Sequence, residues 1–120
     1  MEKTGIAALA IHGRQKEERP RHPCRVDIIA AVAQRLSIPV IANGGSNEFK
    51  CHAGVEKFRK QTETAGVLVA RAAMWNPSVF NPRGTRDVFH IVPRYCELCL
   101  EFDFAYEDRI PLPTLVTEHL

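Results

Sequence analysis

IPVIANGGS, residues 38–46, changes character halfway along. Its first half is a short apolar run opened by Pro39, a residue tolerated at the first position of a strand. Its second half, Asn43-Gly44-Gly45-Ser46, is a turn. An apolar run of this length without alternation suits a strand buried on both faces, as in a parallel sheet. Two similar units flank it. IAALAI at 6–11 leads into His12-Gly13-Arg14, and Val67-Leu68-Val69-Ala70, after the break at Gly66, leads into Arg71. The segment 13–25, polar and holding Pro20 and Pro23, reads as a loop. Val26 to Leu36 predicts a helix, because Val26, Ile29, Val32 and Leu36 form one stripe. Asp27 in its first turn and Arg35 in its last suit the helix dipole, and Pro39 ends it by restricting the residue before it. Val55 to Thr62 predicts a second helix, with Val55, Phe58 and Thr62 inward. The strands start near 6, 38 and 67, about one βαβ period apart. Such alternation predicts an α/β fold with a parallel sheet and right-handed crossovers.

After Arg71 the pattern changes. Trp75-Asn76-Pro77-Ser78 reads as a turn or a helix start, and Asn81-Pro82-Arg83-Gly84 as a breaker. From Asp87, a candidate N-cap, the residues Val88, Ile91, Val92, Tyr95, Leu98, Cys99 and Phe102 keep helical spacing. Pro93 interrupts them. A mid-helix proline costs about 3 kcal/mol, so a kink or a fresh helix start is expected there. Pro111 and Pro113 follow, and Thr114–Leu120 reads as the start of another helix.

The chain has 120 residues, 45% of them hydrophobic and 25% charged. These values fit an ordinary globular protein and exclude a disordered tail, a collagen-like chain and a disulfide-dense miniprotein. No apolar run approaches the roughly 18 residues that span a bilayer. The apolar run after Thr4 is too short for a secretory signal. The expectation is therefore a cytosolic or nuclear chain with reduced cysteines. The net charge of +2 hides an asymmetry. Residues 1–94 carry 15 basic against 8 acidic side chains, whereas 95–120 carry one against six. Arg14, Lys16, Arg19, Arg21 and Arg25 crowd one loop with only Glu17 and Glu18 among them. That stripe reads as a phosphate footprint or as a solvated loop, and Glu17 and Glu18 read as solvated.

Parallel α/β proteins bind ligands at the C-terminal ends of their strands. His12-Gly13-Arg14, Asn43-Gly44-Gly45 and Ala70-Arg71 all fall there. Glycine lets backbone amides approach a ligand, successive amides in a turn hold anions, and arginine adds a charge-assisted partner for phosphate. Singly, each group reads equally as a tight turn or a structural residue. Together they point to a phosphate, at the place where a (β/α)8 barrel often holds one, after strands seven and eight. Cys96 and Cys99 form a CxxC, but a tetrahedral zinc needs two more ligands. Neither Cys24 with His22 nor Cys51 with His52 has finger-like spacing. Small buried hydrophobes are the default reading of these cysteines, and no metal site is expected. No Ser-His-Asp or paired-carboxylate set stands out, so no catalytic residue is assigned.

IAALAIHGR, LSIPVIANGGS and GVLVARAAMWNPSVF together resemble the C-terminal half of the barrel of tRNA-dihydrouridine synthases, most nearly the eukaryotic branch acting on a D-loop uridine of cytoplasmic tRNA. The resemblance covers roughly residues 5 to 80 and continues loosely to about 100. It implies the last three βα units of an FMN-dependent (β/α)8 TIM barrel over 1–81. It also implies the start of a truncated helical tRNA-binding domain over 82–120. The family's flavin, reduced by NADPH, passes hydride to a uracil turned out of the tRNA, and a cysteine donates the proton. By this resemblance His12 contacts the flavin. Asn43, Gly44 and Gly45 hold its phosphate, and Ala70 and Arg71 close that site. Arg14, Lys16, Arg19 and Arg21 face tRNA. The family's catalytic cysteine and flavin-ring contacts belong to earlier strands, and none of Cys24, Cys51, Cys96 or Cys99 stands in that cysteine's place. The chain is accordingly expected to be an incomplete, inactive part whose N-terminal barrel half is missing. The rival readings are a different phosphate-binding flavin barrel, a non-catalytic half-barrel that binds RNA or a partner, and a zinc scaffold.

Overall fold

The computed structural model describes residues 2–18, 21–45 and 49–102. Arg19, Pro20, Ser46 and the helix expected over 114–120 lie outside the described residues. Three strands form one parallel sheet in the order β1 (Leu9–His12), β2 (Val40–Asn43) and β3 (Gly66–Leu68). α1 (Val26–Arg35) joins the first two strands, and α2 (His52–Gln61) joins the second and third. α3 (Arg71–Trp75), a 3-10 turn at Pro77–Phe80 and α4 (Val88–Glu101) follow.

The register puts Ile11, Ala42 and Val67 in one row across the sheet and His12, Asn43 and Leu68 in the next. Side chains alternate faces along a strand, so these rows lie on opposite sides. The first row joins the core. Ala42 and Ile29 of α1 are fully buried, packed with Phe49, Val55 and Phe58 of α2, Ala72 of α3 and Val79. The Phe49 and Phe58 rings meet at 5.2 Å, tilted by 54°, a favourable aromatic geometry. The second row is more exposed: His12 is exposed, Asn43 is half-buried, and Leu68 is 44% exposed. Burial on both faces, expected from the apolar runs, is thus corrected: among the described residues the core packs on one face, β1 alternates between half-buried and exposed, and β2 between buried and half-buried.

Several boundaries also move. β1 begins at Leu9 rather than Ile6 and runs on into His12, whose partner is Asn43. α2 begins at His52, three residues before the apolar spacing starts, from an extended Cys51. Its end is fixed by buried hydroxyls. Thr62 Oγ1 donates to the Phe58 carbonyl at 2.9 Å, and Thr64 Oγ1 donates to the Gly66 carbonyl at 3.1 Å. The two hydroxyls lie 2.9 Å apart, so the end of the helix is tied to the start of β3. Trp75 closes α3, and the turn or helix start read over 75–78 begins one residue later, at Asn76. Asn76 caps the turn after it, accepting from the Ser78 amide at 3.0 Å. Asp87 caps α4 as its side chain suggests, accepting from the Phe89 amide at 2.8 Å. Pro93 starts no new helix: α4 runs through it without interruption. Both Pro93 and Phe89, whose carbonyl loses its helical donor to the proline, are exposed, so water can reach that carbonyl.

Candidate functional site

The three strands end together, and their next residues share one mouth. The Gly13 amide extends the β1–β2 ladder by donating to the Asn43 carbonyl at 3.0 Å. The chain then leaves β1 in a loop that returns at once, with the Arg25 amide donating to the Gly13 carbonyl at 2.9 Å. Gly44 and Gly45 turn the chain out of β2 with φ of +122° and +66°, a region that L side chains avoid. Space demands glycine here as well. A Cβ on Gly44 would lie 2.8 Å from Cys24 Sγ and 3.4 Å from His12 Cε1, and one on Gly13 would run into Cys24 Sγ outright. Cys24 is therefore the wedge between the two turns, its thiol directed at the Asn43 carbonyl across 3.9 Å. Nothing in the sequence pattern marks Cys24 for this place; only the pair of glycines opposite it hints at a close neighbour.

His12 sits at the centre. The Arg14 amide donates to its Nδ1 at 3.1 Å, which leaves the ring proton of the neutral form on Nε2. Burial, then the guanidinium groups of Arg14 and Arg71, hold His12 below its ordinary 6.5. The charges that this imidazole feels are thus cationic, one from the loop after β1 and one from the start of α3. His12, Arg14, Gly44 and Arg71 are brought together. Asn43 ends β2 half-buried, Gly45 is buried against Phe58, and Ala70 is the exposed residue before α3.

The basic loop divides differently from its sequence reading. Arg14 Nε donates to the His22 carbonyl at 2.6 Å, so this side chain also braces the loop. Lys16 and Arg21 are exposed. Glu18 is not solvated, as its surroundings suggest, but clasps the loop. It accepts from the Gln15 amide at 2.6 Å and binds Arg25 through both oxygens, with Nη1 at 2.6 Å. These bonds to Arg25 and Gln15 pull its carboxyl from 4.5 down to about 2. Cys96 is exposed on α4 and Cys99 is buried, so only the second acts as a core residue. Among the described residues no group of three or more His, Cys, Asp or Glu side chains could hold a metal ion.

The donor set of the mouth is basic and amide-rich, which suits a phosphate. No described helix is long and apolar enough to cross a membrane. The family model for dihydrouridine synthase (Dus) matches residues 1–107. A human protein named tRNA-dihydrouridine(20a/20b) synthase, NAD(P)+-like, is 40% identical over 79 residues, 66% of this chain and 24% of that relative. Synthase B of Pseudomonas aeruginosa is 40% identical over 82 residues, 66% of this chain and 23% of its own length. The tRNA-dihydrouridine(20a/20b) synthase of Saccharomyces cerevisiae is 32% identical over 101 residues, covering 82% of this chain and 26% of that protein. The chain thus spans about a quarter of the curated relatives it matches. With a family match running through all three strand ends, this chain belongs to the dihydrouridine synthase family.

Proposed function

We propose that the mouth at the three strand ends holds the phosphate of FMN, within a flavin-dependent enzyme that reduces a tRNA uridine to dihydrouridine with NADPH. The observation that carries this reading is the convergence of His12, Arg14 and Arg71 beside the Gly44–Gly45 turn. Arg71 and the glycine amides meet the phosphate oxygens, and His12 donates from Nε2 while Nδ1 stays occupied by the Arg14 amide. Asn43 and Ala70 border the same pocket, and Gly45 keeps Phe58 close beneath it. Bound there, the flavin supplies the hydride chemistry. This chain's residues supply the grip and the orientation. Cys24 holds the two turns in place and donates no proton to substrate, being wedged under Gly13 and Gly44.

The more exposed second face of the sheet has a place in this reading. In a (β/α)8 barrel, helices cover the outside and the opposite strand faces line the packed interior. Residues 1–81 supply the last three units of such a barrel, and 82–120 begin a helical domain. Arg14, Lys16 and Arg21, with Arg19 assigned by the resemblance alone, are the basic side chains offered to the tRNA backbone, where such groups neutralise phosphates.

Flavin titration tests the phosphate grip. FMN binds the 120-residue chain, riboflavin, which lacks the phosphate, does not, and Arg71→Ala weakens FMN by about tenfold, the worth of one charge-assisted hydrogen bond. Equal binding of FMN and riboflavin, or no effect of Arg71→Ala, would overturn it. The chain alone, given FMN, NADPH and tRNA, forms no dihydrouridine; detecting that base by mass spectrometry would refute the incomplete-enzyme reading.

A further inference from the structure

α4 carries two apolar stripes. Val88, Val92, Tyr95 and Cys99 turn toward the molecule, Cys99 buried and the other three half-buried. Phe89, Pro93, Cys96 and Leu100, spaced four, three and four, form the second stripe, and all four are exposed. Phe89 and Leu100 are each 81% exposed, more than any other large hydrophobic residue described. Alternating steps of four and three are the seam along which one helix packs against another.

The charges beside this seam are sorted along the helix. His90 and Arg94 lie toward its N-terminal end, Glu97 and Glu101 toward its C-terminal end. At about 3.6 residues per turn all four fall on one flank of the seam, with Val92 and Cys99 on the other. Arg94 meets Glu97 at 2.9 Å within the helix, but both side chains are more than 60% exposed, so that pair is weak and open to other partners.

We propose that the exposed stripe of α4 packs antiparallel against the same stripe of a second copy of this chain. A two-fold axis between Pro93 and Cys96 sets Phe89 of each copy against Leu100 of the other, and Pro93 against Cys96. Small residues then lie where the helix axes cross and large ones where they diverge. His90 and Arg94 of each copy stand beside Glu97 and Glu101 of the other, so the sorted charges complement themselves. A parallel pair would put the two charged flanks on opposite sides, where they do not meet. The Phe89 carbonyl, which has no helical donor because of Pro93, gains the Cys96 thiol of the second copy as a weak one. Fourteen residues make a seam of about 21 Å, which suits a weak, reversible pair. The contact stands apart from the flavin reading.

Cross-linking of the whole chain tests it. A short bismaleimide joins Cys96 to Cys96 of a second copy, in a product of twice the chain's mass whose linked peptides identify the site. Glu97→Lys with Glu101→Lys makes the flank all basic, and His90→Glu with Arg94→Glu makes it all acidic. These four positions are exposed, and circular dichroism of both variants keeps its helical signal. Each variant alone gives at least about tenfold less of the product, through like-charge repulsion, and the two mixed together restore it. Phe89→Ser, which leaves every charge in place, lowers the yield likewise. A product of monomer mass only, a dimer linked through Cys24 or Cys51 instead, or mixed variants that stay unlinked would overturn the proposal.

Discussion

His12 reports on the mouth from inside it. Its pKa lies below 6.5 because burial and two guanidinium groups oppose the imidazolium. The sign of the linkage follows. The unfolded chain takes up this proton first, so stability is intact above 6.5 and falls as the pH drops through 6.5 toward the lowered folded value. A bound phosphate reverses the field that His12 feels. The Cε1 resonance of His12 titrates below 6.5 in the free chain and moves upward when inorganic phosphate is added. An unshifted midpoint with saturating phosphate would separate His12 from the anion. The neighbouring wedge gives a second prediction. Gly13→Ala costs about 1–3 kcal/mol in urea unfolding, because its methyl meets Cys24 Sγ. Adding Cys24→Ala returns part of that loss, since the two residues share one space. Additive losses in the double variant would mean that the strain falls instead on Ile29 Cδ1 and the Arg25 amide, the other atoms near that methyl.

The loop between β1 and α1 is held by one carboxylate. Glu18 titrates at about 2, well below its unfolded 4.5, so the clasp on Gln15 and Arg25 is complete above 4.5 and is lost as the pH falls through about 2. The Gln15 amide resonance shifts with a midpoint near 2, and Glu18→Gln removes that transition. A midpoint at 4.5 would show that the clasp does not form. This loop was the least legible element. Glu18 and Arg25 are seven apart in a segment without periodicity, and no spacing rule pairs them. The elements that were legible are those with a stripe to read. Ile29 anchors α1 where the stripe puts it, and Val55 and Phe58 point inward from α2. The first turn of α2, His52-Ala53-Gly54, has no apolar side chain larger than alanine, so its start was hidden. α3 has only five residues and follows β3 almost directly, so its helical period never repeats. Pro93 misled because a proline is costly in isolation, yet on an exposed stretch of α4 it forfeits one hydrogen bond that water can replace. For the site, the three strand ends were readable as polar breaks after apolar runs. Cys24 was not, because a wedge is defined by what lies across from it in space.

Among the described residues, the sheet carries its core on one side and a more exposed face on the other. Ala10, Ile41 and Leu68 present apolar surface there, and among the described residues β1 and β3 each have one strand neighbour. Open edges with apolar faces recruit further strands. The 120-residue chain sediments as a concentration-dependent mixture of monomer and larger species, and Leu68→Lys moves it toward monomer without loss of helical circular dichroism. A single monomeric boundary at all concentrations would count against that face as a contact surface. The strand order has a further meaning for how the chain is made. Neighbours in the sheet are neighbours in sequence, and the crossovers that join them are confined to 13–39 and 44–65. Each pairing closes a loop of modest length and none waits for the far end of the chain, which keeps contact order low and its entropic cost even. On a ribosome, β1 can therefore find β2 as soon as β2 has emerged behind α1, and β3 can add to a sheet already begun, so the mouth at the strand ends is completed in the order in which it is translated.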